Sequence, residues 1–164
     1  MKVNGFNWKK CDTMRRGNYN PGYCVQRAII NLYNEMKDDD AESLTMSDAT
    51  GIIEFTPVVN HFNVEMAYGD CGLKRLSINS MNPPFDYETH KNEYPNHIAW
   101  FLLRNGGGHV VTVCRSHDVH DCWDSRRYLN NLTVRQIFVP TPSFLSCVAE
   151  MKEAALDNIL DGLI

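Results

Sequence analysis

The spacing of hydrophobic positions changes along this chain, and each change marks an element. In "CVQRAIINLYNEM", Val25, Ala28, Ile29, Leu32 and Met36 recur three or four residues apart. That is the period of one helix face. The acidic run Asp38-Asp39-Asp40 closes the segment. Just before it, "NYNPGYC" carries the turn signal Asn20-Pro21-Gly22,. Cys24 is therefore expected in the first turn of an amphipathic helix entered from a tight loop. Residues 1 to 23 show no such period and read as an irregular leader rich in Asn, Gly, Arg and Tyr.

Ser43 or Thr45 offers a cap for a short helix, and Thr56-Pro57 can open another running through Met66,. "NPPFDYETHKNEYP", with three prolines, reads as loop. The whole stretch from 38 to 96 is where loops that set specificity are expected. After it the period becomes strand-like. His97 to Arg104 is one apolar strand, and "GHVVTVCR" is a second across a Gly106-Gly107-Gly108 connection,. "DVHDCWD" is a third, after a tight turn near Ser116 to Asp118, and Leu132 to Pro140 is a fourth. The segment from Pro142 to the end reads as a helix capped by Ser143. Its face would be Leu145, Val148, Met151, Ala155, Ile159 and Leu160. The expectation is one α+β domain spanning 1–164, in which a helix bearing Cys24 packs on an antiparallel sheet and a C-terminal helix closes the fold.

A chain of 164 residues can bury its own core,. The net charge of −4 argues against a dedicated nucleic-acid binder,, and Lys9, Lys10, Arg15 and Arg16 read as a solvated face. No apolar run reaches the ~18 residues of a membrane span, and Met1 to Trp8 lacks the apolar centre of a signal peptide,. A cytoplasmic protein follows as the expectation, with Cys11, Cys24, Cys71, Cys114, Cys122 and Cys147 kept as thiols,. No cofactor is called for, and the oligomeric state stays open.

The candidate chemistry centres on Cys24. A thiol is a nucleophile as thiolate, and a helix N-terminus stabilises negative charge. His109 opens a strand after three glycines, and Gly108 would let a backbone or a substrate approach closely. Asp121 ends the next strand, within reach of His109 across an antiparallel pair, although register is not fixed by sequence. Asp124 competes for the same role, but with Ser125-Arg126-Arg127 after it, it reads better as a cap or an arginine partner.

Cys24 at a helix start, His109 on a strand and Asp121-Cys122-Trp123 together resemble the papain-like cysteine peptidase superfamily. Small papain-fold proteins of bacteriophages are more similar still: they carry Gly-His-Val-Val-Thr-Val and then an Asp-x-Trp-Asp segment. Those motifs stand here at Gly108 to Val113 and Asp121 to Asp124. The resemblance covers about half of the chain. It implies a thiol hydrolase with Cys24 as nucleophile, His109 as base and Asp121 as the orienting group. It also implies Trp123 as a shield over the Asp121–His109 bond. The family places an oxyanion donor, commonly Gln, a few residues before the nucleophile. Here Asn18 and Asn20 are the amides available, Asn18 at the matching spacing, with the Cys24 N–H as second donor. A protein or peptide, in a phage case a host protein, is the implied partner.

Two rival readings stay open. Cys114-x-x-His117-x-x-His120-x-Cys122 offers four zinc ligands on one hairpin,. Strand alternation, however, sends Cys114 and His109 to opposite faces. The fold could also serve as a binding scaffold without catalysis, with Phe55, Phe62, Tyr68, Phe85 and Tyr87 lining a groove or filling the core.

Overall fold

The computed structural model describes residues 2–3, 5–9, 23–53, 61–77 and 86–162. Among them the chain is α+β, as the hydrophobic spacing predicts. Strands β1 (Lys2–Val3) and β2 (Phe6–Trp8) come first, then helices α1 (Tyr23–Met36), α2 (Met46–Ile52) and α3 (His61–Asp70). Strand β3 (Leu73–Ser77) and helix α4 (Tyr87–Glu93) precede the strands β4 (His97–Leu103), β5 (Gly108–Cys114), β6 (Asp118–His120) and β7 (Leu129–Pro140). Helix α5 (Phe144–Asp161) follows.

The strands form a seven-stranded sheet in the order β1-β2-β6-β5-β4-β7-β3. All neighbours are antiparallel except β2 and β6, which run parallel. Both faces of the sheet are covered. Ile98, Trp100, Val110 and Phe138 pack with Ala28, Ile29 and Leu32 of α1 in one core. Ala99, Phe101, Val111, Val113, Ile137 and Val139 pack with Phe6 and Trp8 in a second. Burial on both sides explains why β4 reads as a continuous apolar run, without alternation.

Helix α1 turns Val25, Ala28, Ile29 and Leu32 inward as its period requires, and buries Ile30 and Tyr33 as well, because α2 packs on it from another side. Asn34 fixes that second contact: its amide donates to Leu44 O (3.0 Å) and its carbonyl accepts from Leu44 N–H (2.7 Å). Thr45 caps α2 in a reciprocal box with Asp48,.

The structure corrects several sequence expectations. The leader is not wholly irregular, since β1 and β2 lie in it; residues 10–22 fall outside the described residues. The short helix expected after Ser43 or Thr45 is α2, capped by Thr45, whereas β3 and α4 are additions to the elements expected between 38 and 96. Of the helix expected from Thr56, the described part begins at His61 and continues past Met66 to Asp70. Helix α4 starts directly after the prolines, where the Asp86 side chain accepts from Glu88 N–H (3.2 Å) and Thr89 Oγ1 (2.7 Å). Strand β3 eluded the period because it is an edge strand with Lys74 and Arg75 exposed,. Gly72, just before it, has φ +87°, and a Cβ there would meet Phe144 Cα at 2.9 Å. Only glycine lets the start of α5 seat so closely.

Ser143 stands at the N-cap of α5 but makes no capping bond; its hydroxyl lies 3.0 Å from Thr141 Oγ1. The expected α5 face holds at Val148, which is buried, and fails at Leu160, which is exposed. The turn after β5 is as tight as expected. Arg115 and Ser116 both have positive φ, as in a type I′ hairpin turn, and His117 N–H donates to Cys114 O (3.3 Å).

Candidate active site

Cys24 lies in the first turn of α1, 7% exposed. Its sulfur lies close to the His109 imidazole and to the Val110 backbone N–H, both of which favour the thiolate. The pairing of β5 explains why that N–H is available. Leu103 N–H donates to Gly107 O (2.8 Å), and bonded pairs recur at every second residue of an antiparallel ladder. Phe101–His109 and Ala99–Val111 are therefore the next bonded pairs between β4 and β5, and Val110, opposite Trp100, aims its N–H away from β4. On that far side β6 pairs only with Thr112 to Cys114. The thiol takes the place that a longer β6 would have filled.

Beyond His120 the chain leaves the sheet, and Asp121 enters the cluster from a loop, not as a cross-strand neighbour of His109. His109 Nε2 lies 2.6 Å from Asp121 Oδ1. This leaves Nδ1 as the ring nitrogen available to the sulfur. Asp121 Oδ2 accepts from Ser125 Oγ (2.5 Å), Ser125 N–H (3.3 Å) and Trp8 Nε1 (3.2 Å). Trp123 covers the imidazole at 5.2 Å between ring centroids, and Tyr128 packs edge-on against Trp123 at 5.4 Å.

These contacts set the charges. Burial pushes the Cys24 thiol up, but the bond and charge of His109, with the Val110 N–H, outweigh it and bring the thiol below its ordinary value. Burial alone would lower His109; the bond and charge of Asp121, aided by Cys24, raise it to about 10. Asp121 is also held below its ordinary value, because His109, Ser125 and Trp8 outweigh its burial. The favoured resting state is thus thiolate, imidazolium and carboxylate in a row, with both imidazolium N–H groups donating. Beneath them, the fully buried Tyr68 donates its hydroxyl to Val25 O (2.9 Å) and ties the start of α1 to α3.

Cys24, His109, Asp121 and Trp123 are therefore brought together. Asn18 and Asn20 lie outside the described residues. The close approach expected at Gly108 is made by the Trp100 indole: a Cβ on Gly108 would stand 2.0 Å from Trp100 Nε1. Asp124 is engaged elsewhere, receiving Arg126 Nε (2.8 Å) and Nη2 (2.6 Å). Trp8 and Ser125 escaped the sequence reading. Trp8 sat in a stretch without period, and nothing in Ser125 itself marks its bond to Asp121.

The hairpin does not gather the four ligands expected of a zinc site. Among the described residues, Cys114 and His120 group with Glu35, while Cys122 groups with His109 and Asp121. His117 is an exposed turn residue near Asp118 (3.9 Å). The second group coincides with the site just described, where the His109 and Asp121 atoms already bond each other. The five described cysteines are free thiols. Tyr68 fills the core and Tyr87 stacks on Phe6 at 5.7 Å, whereas Phe55 and Phe85 lie outside the described residues, as does the Phe62 side chain. No helix among the described residues is long and apolar enough to cross a membrane. Comparison of the chain with family models, with curated proteins and with solved structures gives no match.

Proposed function

We propose that this chain is a papain-like, thiol-dependent hydrolase that cleaves an amide or related acyl bond in a protein or peptide through Cys24, His109 and Asp121. The observation that carries the reading is the position of His109, close enough to the Cys24 sulfur to lower its thiol and held by Asp121 at 2.6 Å. That arrangement supplies an activated nucleophile, a proton carrier and a group that orients it.

In this mechanism the Cys24 thiolate attacks the carbonyl carbon and a C–S bond forms. The Cys24 N–H, with Asn18 as the resemblance suggests, receives the developing oxyanion; a donor of this kind contributes about 3 kcal/mol to the transition state. The imidazolium gives its proton to the leaving nitrogen as the C–N bond breaks. Neutral His109 then takes a proton from water, which attacks the thioester and frees the acid. Asp121 keeps its charge throughout and fixes the ring, so that the proton shuttles at Nδ1.

The resemblance to phage papain-fold proteins makes a host protein in the cytoplasm the substrate class to try first. An electrophilic thiol probe tests the chemistry. It should label Cys24 in preference to the other cysteines, and His109→Ala should abolish that preference. Even labelling of all accessible thiols would remove the enzyme reading and favour a binding scaffold.

A further inference from the structure

We infer that Glu35, Cys114 and His120 form a divalent metal site, suited to zinc, at the end of α1 opposite Cys24. Their ligand atoms all lie within 4.8 Å of one another. Three elements bring them together. Glu35 stands in the last turn of α1, Cys114 ends β5 and His120 ends β6. His120 pairs with Thr112, so strand alternation puts it on the same sheet face as Thr112 and Cys114,. That face meets α1, since Thr112 Oγ1 donates to Ala28 O (2.8 Å).

The spacing along helix and strand explains why a second cluster arises here. From Cys24 to Glu35, α1 advances about 16 Å at its usual rise. From His109 to Cys114, β5 advances about 16 Å as well. Helix and strand run side by side and keep pace, so the stretch of α1 that begins at Cys24 beside Val110 ends at Glu35 beside Cys114.

The donor set selects the ion. One sulfur, one imidazole nitrogen and one carboxylate suit borderline-soft zinc; calcium and magnesium prefer all-oxygen sites. Three protein ligands leave a fourth tetrahedral position for water. Binding converts the Cys114 S–H to a thiolate and releases its proton to solvent. Arg115 now pairs with Glu35 Oε1 at 3.3 Å, but its side chain is 75% exposed, and exposed pairs hold little energy.

The test uses the full chain, stripped of metal and titrated with Co²⁺ as a coloured stand-in for zinc. One equivalent should bind with a thiolate-to-cobalt charge-transfer band, and zinc should displace it. Cys114→Ser should lose the band, and His120→Ala should lose tight binding. Cys24→Ala, Cys122→Ser and His117→Ala should keep both. Glu35→Gln, at a partly exposed position, should fold yet bind at least about tenfold more weakly, the loss that even a partner behind a metal ligand typically causes. Zinc should raise the melting temperature of the native chain more than that of Glu35→Gln. A chain that binds no cobalt, or a band that survives Cys114→Ser and vanishes with Cys24→Ala, would overturn the site.

Discussion

Trp8 Nε1 lies 3.2 Å from Asp121 Oδ2, across 113 residues of chain. Parallel pairing of β2 with β6 makes the contact possible. Asn7 aligns with Asp118 and Trp8 with Val119, and Asn7 N–H donates to His117 O (2.7 Å) while Lys9 N–H donates to Val119 O (2.9 Å). The indole then reaches the carboxylate just beyond the end of β6. Trp8→Phe keeps an aromatic ring in the core and removes the donor. A bond to a buried charge of this kind is worth about 1.5–3 kcal/mol, and urea unfolding should show a loss of that order. Asp121 keeps its bonds to His109 and Ser125, so thiol labelling at Cys24 should slow without stopping. Unchanged stability would show that the indole contributes only its packing.

The direction of the Cys24 shift fixes a pH profile. Its ordinary value of 9.0 is lowered in the fold, by His109 and the Val110 N–H acting against burial. Alkylation of Cys24, followed by mass spectrometry, should therefore reach its plateau rate below pH ~9. His109→Ala removes the imidazolium and leaves burial, so the profile should move upward, above the range of an exposed thiol. A native profile matching that of a free thiol would mean that the sulfur and the ring do not form an ion pair.

Much of this site could be read before the fold was known, and the unread parts share a cause. Cys24 declared itself through the helix period after a turn signal, and His109 through the strand that glycines introduce. Both signals are local. Asp121 was legible as a residue, but not in the way it arrives: it sits in a loop that leaves the sheet after His120, which no period encodes. Trp8 and the Val110 N–H depend on β2 joining β6 and on β6 stopping early, which are facts of topology. Strand β3 and helix α4 were missed for other reasons. Exposed charges erase the period of an edge strand, and a seven-residue helix behind two prolines looks like a loop until its Asp86 cap is seen. The cluster of Glu35, Cys114 and His120 was half visible: the hairpin offered Cys114 and His120, but the third ligand comes from a helix nearly eighty residues earlier.

Gly108 owes its identity to the Trp100 indole lying against it. A Cβ there would stand 2.0 Å from Trp100 Nε1 and 2.4 Å from Trp100 Cε2. Trp100 is 7% exposed and packed in the same core as Cys24, so it has little room to retreat. Gly108→Ala should cost about 1–3 kcal/mol through overpacking, measured by urea unfolding. It should also slow Cys24 labelling, because His109 is the next residue and would move with the displaced strand. Trp100→Phe should recover part of the lost stability in the Gly108→Ala background. Full stability of Gly108→Ala alone would show that the indole shifts freely and that the glycine serves another purpose.

His97 should make the fold lose stability as the solution turns acid,. It is fully buried, with Nδ1 at 2.8 Å from Tyr94 O and Nε2 at 3.0 Å from Tyr87 Oη. A carbonyl only accepts, so Nδ1 carries the proton and the Tyr87 hydroxyl donates to Nε2. Protonation would set an N–H against that hydroxyl in a dry site. Burial first, and the nearby Lys91 charge, lower His97 to about 4 against the Tyr94 bond. The unfolded chain therefore binds more protons between about pH 6.5 and 4, and stability is full above that window and falls as pH drops through it. The loss amounts to roughly 3 kcal/mol. His109 does not mask it: its raised value gives a contribution that is complete below pH ~6.5 and is lost toward pH ~10,. His120, half-buried and also lowered, acts in the same direction as His97. Urea unfolding of the native chain and of His97→Gln, repeated at closely spaced pH values, should show the acid slope shrinking in the variant without vanishing. Equal slopes would assign the acid sensitivity to a group other than His97.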